Sequence, residues 1–127
     1  MMGPFLVLLC QLLLTILIEG AVIVIFYKSK ETLRNSLYVN LLTNPALNLT
    51  LILLSGKGFS LGVMLTIRIG LEIAVVFIEA IAYKYMLGTT FKKAFWLSLI
   101  LNLTSFIIGE VIGMAGYWEL QRIMMGL

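Results

Sequence analysis

Histidine and aspartate are absent from the 127-residue sequence, and cysteine occurs once. Without histidine the chain has no imidazole general base and no histidine ligand for zinc or haem. Without aspartate it has no aspartyl-protease pair, and the single Cys10 cannot form a disulfide within the chain. Any binding or catalytic site must therefore use Glu, Asn, Ser, Thr, Tyr, Lys and Arg side chains.

Charged residues are also scarce, at 12% of the chain, whereas hydrophobic residues make up 61%. Soluble domains contain roughly 25% charged and 45–50% apolar residues. A chain this short leaves much of its surface exposed, so a single core could not hide the apolar excess. The composition excludes a soluble or disordered protein and, despite a pI near 9.2, a nucleic-acid-binding protein. It indicates an integral, multi-pass protein of the lipid bilayer.

Four segments are long and apolar enough to cross a bilayer, which requires about 20 residues. They predict an all-α membrane protein with one four-helix transmembrane domain over residues 1–127, its helices at about 4–27, 36–54, 61–87 and 94–118. The connections are short, so we expect two tandem helical hairpins of antiparallel neighbours. The first segment lacks the basic start and the cleavage site of a signal peptide, and we expect it in the mature protein.

Basic residues are distributed unevenly between the two ends of the predicted helices. Segments 28–35 and 88–93, with their flanks, hold six Lys and Arg residues, against three at the opposite end. By the positive-inside rule, these two basic loops are cytoplasmic and both termini lie outside.

The two halves of the chain share one order of polar residues: a Glu, a basic loop and then an Asn. Glu19 precedes Asn40 by 21 residues, and Glu79 precedes Asn102 by 23. This order predicts an internal duplication with its axis along the membrane normal. Chance similarity between short apolar helices is the alternative. A helix rises about 1.5 Å per residue. Both Glu residues and Asn102 therefore lie about 12 Å from the end of their predicted helix that is next to a basic loop, and Asn40 lies about 6 Å from it. The four side chains can thus converge.

The third helix carries a narrow polar stripe. At 100° per residue, Arg68, Glu72, Glu79 and Tyr83 fall on one face. Arg68 and Glu72 are one turn apart and can form a salt bridge. Together with Glu110 they form an outer polar cluster, whereas we expect Tyr83 to be an interfacial anchor.

A second stripe follows the second helix, where Asn40, Asn44 and Asn48 recur every four residues. Pro45 removes a backbone hydrogen bond there and frees a carbonyl group. Amide and carbonyl oxygens suit hard cations. We therefore expect no cofactor other than a hard cation held by oxygen ligands, and the sequence leaves the identity of a metal open. Cross-helix hydrogen bonding alone is the structural alternative.

The fourth helix places small residues on one face. Gly109, Gly113 and Gly116 lie there together with Asn102. Small residues allow close helix contact, so this face is the predicted interface of a homo-oligomer, most simply a two-fold dimer.

Carboxyl groups inside a membrane are functional-site candidates because their burial costs several kcal/mol when charged. A carboxyl that chooses between a proton and a cation is the elementary part of proton-coupled exchange. The leading hypothesis is thus a small ion or solute transporter, with a membrane subunit of a larger partner as the alternative. An intramembrane enzyme is disfavoured because no nucleophile lies beside a base. The predicted ion- or proton-binding residues are Glu19, Glu79, Asn40, Asn102, Asn44 and Glu72.

Overall fold

The computed structural model describes the backbone of residues 4–124 and, among side chains, those of residue 6 and residues 8–112. This part of the chain forms four α-helices and no strand: α1 (Pro4–Val22), α2 (Lys30–Ser55), α3 (Leu61–Leu87) and α4 (Phe91–Met124). A π-helical turn, Ile23–Tyr27, continues α1. Each of the four is long and apolar enough to span a membrane. The predicted all-α, four-helix fold is confirmed.

The helices form a ring. Each packs against the next in sequence, and α1 also packs against α4. Among the described residues, the backbones of α1 and α3 do not approach each other as packed neighbours, and neither do those of α2 and α4. The ring therefore surrounds a central space that all four helices can line. The hairpin arrangement and its origin by duplication stay predictions.

Two helices, α2 and α4, begin earlier in the chain than predicted, and each begins after a side-chain cap. The Ser29 hydroxyl accepts a hydrogen bond from the Thr32 amide at 3.2 Å, so α2 begins at Lys30 rather than residue 36. The Thr90 hydroxyl accepts one from the Lys93 amide at 3.3 Å, and α4 begins at Phe91 rather than residue 94. These caps bind amides that the first helical turn leaves free. Most residues of the predicted basic loops 28–35 and 88–93 therefore belong to the first turns of α2 and α4.

The π-helical turn ends at an unusual backbone conformation. Lys28 has a φ of 51°, and its amide donates to the Ile23 carbonyl at 2.7 Å. The corresponding end of α3 uses Gly88, with a φ of 62°. Only glycine adopts this left-handed region freely, so Lys28 costs the chain about 1–2 kcal/mol.

The apolar core lies beside these two short connections, which we call the loop end of the bundle. Its buried members come from α2, α3, α4 and the π-helical turn: Ile23, Val39, Tyr83, Ala94, Leu97 and Leu101. Elsewhere large apolar side chains point outward, as with Leu42 at 76% and Leu61 at 77% exposure. Such outward faces suit lipid contact, and the core closes the ring at its loop end.

Candidate functional site

Glu19 of α1 lies fully buried in the ring. Its Oε2 accepts a hydrogen bond from Asn40 Nδ2 at 2.6 Å and a longer one from Ser36 Oγ at 3.4 Å. Its Oε1 accepts from Ser105 Oγ at 3.3 Å. The carboxyl group is thus held by α2 on one side and by α4 on the other.

Glu79 of α3 is 1% exposed and has matching partners. Its Oε2 accepts from Asn102 Nδ2 at 2.6 Å, and its Oε1 contacts Thr43 Oγ1 at 2.5 Å. Here α4 supplies the amide and α2 supplies the hydroxyl. Each carboxyl therefore binds an Asn from the next helix in sequence and a hydroxyl from the other half of the chain.

Both Asn side chains are anchored in the same way. Asn40 Nδ2 also donates to the Ser36 carbonyl at 3.0 Å, and Asn102 Nδ2 to the Ser98 carbonyl at 2.9 Å. An amide nitrogen has two protons. One goes to the carbonyl one turn earlier, so the other points at the carboxyl.

The local sequence behind this geometry is Ser-x-x-x-Asn-x-x-Thr/Ser, which occurs as 36–43 in α2 and 98–105 in α4. Positions one, five and eight of this pattern fall on one helix face. The structure brings together four of the predicted site residues: Glu19, Asn40, Glu79 and Asn102. Because α2 begins at Lys30, Asn40 lies about 15 Å from the helix start rather than about 6 Å.

The hydroxyl beside each carboxyl has one proton and two acceptors within reach. Thr43 Oγ1 lies 2.9 Å from the Val39 carbonyl oxygen and 2.5 Å from Glu79 Oε1. Ser105 Oγ lies 3.1 Å from the Asn102 carbonyl oxygen and 3.3 Å from Glu19 Oε1. A hydroxyl can donate to only one of these at a time. When it donates to the backbone, the carboxyl must carry a proton to keep the remaining contact a hydrogen bond.

A cavity of about 760 Å³ extends from Glu79 towards the end of the bundle opposite the loop end. Its lining on α3 runs from Met64 to Glu79, about 22 Å along the helix. Asn40 and Asn102 also line it, and they lie next to the apolar core. Glu79 and the two Asn side chains therefore lie at the floor of a cavity whose loop side is closed, whereas Glu19 is buried behind this floor and does not line the cavity.

Two other predicted site residues line this cavity without touching the buried carboxyls. Asn44 Nδ2 donates to Thr15 Oγ1 at 3.0 Å, and Asn48 Nδ2 donates to the Asn44 carbonyl at 3.0 Å. Glu72 lines the cavity, and within the described residues it has neither a hydrogen bond nor a salt bridge. No group of three or more acidic, His or Cys residues in this part of the chain could hold a metal ion.

The salt bridge of Arg68 differs from the predicted one. Its guanidinium group pairs with Glu110 of α4, and its central carbon lies 5.0 Å from the Phe106 ring centroid. Helical spacing alone favoured Glu72, one turn away on α3. The neighbouring helix offers a competing carboxylate that spacing within one helix cannot reveal.

Gly109 lines the central cavity, and a Cβ atom there would contact nothing within 4 Å. This glycine therefore borders the cavity of the bundle. The side chains of Gly113 and Gly116 lie outside the described residues. The interface and the dimer stay predictions.

Several polar residues of the site were missed or misassigned from the sequence. Ser36 and Ser98 are buried beside the Asn residues, and their spacing of four from each Asn was the available signal. Tyr83 is fully buried rather than interfacial, as its place on the α3 stripe already indicated. Its hydroxyl has no hydrogen-bond partner among the described residues.

Comparisons with protein-family profiles, curated proteins and solved structures found no match. The class of protein is therefore defined by the fold and the site. The chain is an all-α, four-helix protein of membrane-spanning character, with two buried, hydrogen-bonded carboxyl groups, of which Glu79 lines the floor of an internal cavity.

Proposed function

We propose that the protein is a small integral membrane transporter in which Glu19 and Glu79 exchange protons for a cation. The observation that carries this proposal is the pair of hydroxyls, each placed between a carboxyl oxygen and a backbone carbonyl oxygen. Each carboxyl is hydrogen-bonded in both states, because the hydroxyl donates to it when it is ionised and accepts from it when it is protonated. Proton uptake and release then need only rotation of a hydroxyl.

The cation would take the place of the departing proton. Carboxyl and hydroxyl oxygens meet at the site, and such oxygens are the ligands of hard cations. A buried carboxylate without a counter-charge is costly in a membrane, so the site favours carrying either a proton or a cation. This alternation is the basis of coupled exchange.

Access to the site supports transport rather than static assembly. The cavity reaches Glu79 from the end opposite the loops, while the core around Ile23 and Tyr83 closes the loop end. A site exposed to one side only is what an alternating-access cycle requires in each of its states. With the predicted orientation, the open cavity faces outward and the closed end is cytoplasmic. We extend the proposal to a homodimer, since four helices alone barely enclose a path.

Ion flux in proteoliposomes tests the proposal. Purified protein is reconstituted with a trapped pH dye, and pulses of sodium, potassium, magnesium or calcium are applied to the wild type and to a Glu19→Gln, Glu79→Gln double variant. We expect at least one cation to drive proton movement in the wild type and not in the double variant. Glu31→Gln makes the same type of substitution once, at an exposed position at the start of α2, and is the control.

Two outcomes contradict transport. One is absence of proton movement with every cation from protein shown to be helical and monodisperse. The other is equal movement in the double variant. Either result favours the second hypothesis, a membrane subunit whose polar network stabilises assembly with a larger partner.

A further inference from the structure

A second, smaller cavity of about 170 Å³ lies between α3 and α4. Apolar side chains form most of its lining, among them Ile69, Ile73 and Leu103, which are 56%, 55% and 53% exposed. Exposed apolar side chains on a membrane-spanning bundle face lipid. We call this cavity the lateral groove, because it opens on the outer surface of the helix ring.

The lateral groove and the central cavity share three lining residues: Glu72, Asn102 and Phe106. These side chains therefore stand between the lipid-facing surface and the polar interior. Asn102 is already bonded to Glu79. Phe106 is covered by the Arg68 guanidinium group. Of these three residues, Glu72 is the one whose side chain is free to bind a ligand.

Glu72 has no salt-bridge partner of its own among the described residues. Arg68, the cation nearest along α3, pairs with Glu110. Within the described part of the chain, no side chain donates a hydrogen bond to Glu72. A carboxylate in this position attracts a cation, and the apolar groove beside it attracts a hydrophobic group.

The size of the groove limits that hydrophobic group. An apolar protein cavity of about 150 Å³ accommodates benzene, so 170 Å³ fits one aromatic ring or a short alkyl chain. We infer that the protein binds an amphipathic organic cation, with its apolar group in the lateral groove and its ammonium group at Glu72. This inference goes beyond the proposed exchange at Glu19 and Glu79, because it adds a separate binding site for an organic cation.

Binding of benzyltrimethylammonium to the purified full chain in lipid nanodiscs tests the ligand class. Neopentylbenzene has the same shape without the charge and is the neutral comparison. We expect the cation to bind more tightly than its neutral analogue. Glu72→Gln should weaken binding of the cation by about tenfold to a hundredfold, the range expected when one partner of a partly buried charge pair is lost. Glu31→Gln should leave it unchanged.

A second variant tests the groove without touching the charge. Leu103→Trp fills the groove from a lipid-facing position, so it should reduce cation binding while leaving the α-helical signal unchanged. Inorganic cation flux through Glu19 and Glu79 should persist in this variant. Normal flux combined with equal binding of the charged and neutral probes refutes the ligand class alone. Absent flux combined with charge-selective binding at Glu72 refutes the proposed transport function alone. Unchanged cation binding in Glu72→Gln or in Leu103→Trp also overturns the inference.

Discussion

Replacing Asn40 with Leu should destabilise the fold through one hydrogen bond. Asn40 Nδ2 donates to Glu19 Oε2 at 2.6 Å and to the Ser36 carbonyl at 3.0 Å. The Ser36 carbonyl keeps its backbone hydrogen bond in the helix, so loss of the side-chain bond from Asn40 to this carbonyl has a minor effect. The carboxyl keeps only contacts of 3.3 Å and 3.4 Å to two serine hydroxyls. It is fully buried and cannot recruit bulk water.

The expected magnitude follows from the type of bond that is lost. A hydrogen bond to a charged group contributes roughly 1.5–3 kcal/mol, whereas a neutral bond between membrane helices averages about 0.6 kcal/mol. We expect the free energy of unfolding to fall by about 1.5–3 kcal/mol for Asn40→Leu if Glu19 is ionised. Asn102→Leu should cost a similar amount, since its bond to Glu79 has the same length of 2.6 Å.

Unfolding in mixed micelles with increasing dodecyl sulfate, followed by circular dichroism, measures these free energies. Asn48→Leu is the matched control because Asn48 donates to Asn44 and touches no carboxyl. It should cost about 0.6 kcal/mol or less. Equal effects for Asn40→Leu and Asn48→Leu would refute the argument.

A double variant sharpens the same test. Replacing both Glu19 and Asn40 with Leu removes the buried carboxyl together with its donor. Apolar replacement of both members of a buried polar pair is often neutral or stabilising. The double variant should therefore be more stable than Asn40→Leu alone. If the double variant is less stable than the wild type by the sum of the effects of Glu19→Leu and Asn40→Leu, the two side chains are not coupled.

Three further predictions concern single side chains. Thr43→Val removes the hydroxyl beside Glu79 and should reduce cation-driven proton flux at least about tenfold, equal to 1.4 kcal/mol in the barrier. Thr43→Ser keeps the hydroxyl and should keep the flux. Equal flux in the two variants would contradict the role of the hydroxyl. Tyr83→Phe removes a buried hydroxyl that has no hydrogen-bond partner among the described residues, and it should stabilise the protein in the same unfolding assay by about 1 kcal/mol. A clear loss of stability would show that the hydroxyl is bonded, with the Ser36 hydroxyl as the nearest candidate. Lys28→Gly removes the steric strain of a left-handed backbone conformation and should raise the unfolding free energy by about 1 kcal/mol. A decrease would contradict the positive φ of Lys28.

The helices could be predicted from the sequence because membrane spans need long apolar runs, and such runs are visible without any tertiary contact. Their starts were harder to predict. Ser29 and Thr90 cap helices whose first turns are rich in polar residues, and composition alone assigns those turns to loops. A search for capping residues before each basic segment would have placed both starts correctly.

The candidate site divides in a similar way. The contacts of Glu19 with Asn40 and of Glu79 with Asn102 join consecutive helices. The regular spacing along the chain predicted that these four side chains could converge, but not which of them would bond. The contacts of Thr43 and Ser105 cross between the two halves. They depend on how the halves pack, which spacing along one helix does not encode. The pairing of Arg68 with α4 instead of α3 was missed for the same reason.

Proton release from the purified protein tests the central claim most directly. The protein is placed in weakly buffered detergent solution with a pH indicator, and the cation that is active in the flux assay is added. Exchange at Glu19 and Glu79 predicts proton release that saturates with cation concentration, disappears in the Glu19→Gln, Glu79→Gln double variant and persists in Glu31→Gln. Release of the same size in the double variant, or none from the folded wild type, would contradict the claim that these carboxyls exchange protons for a cation.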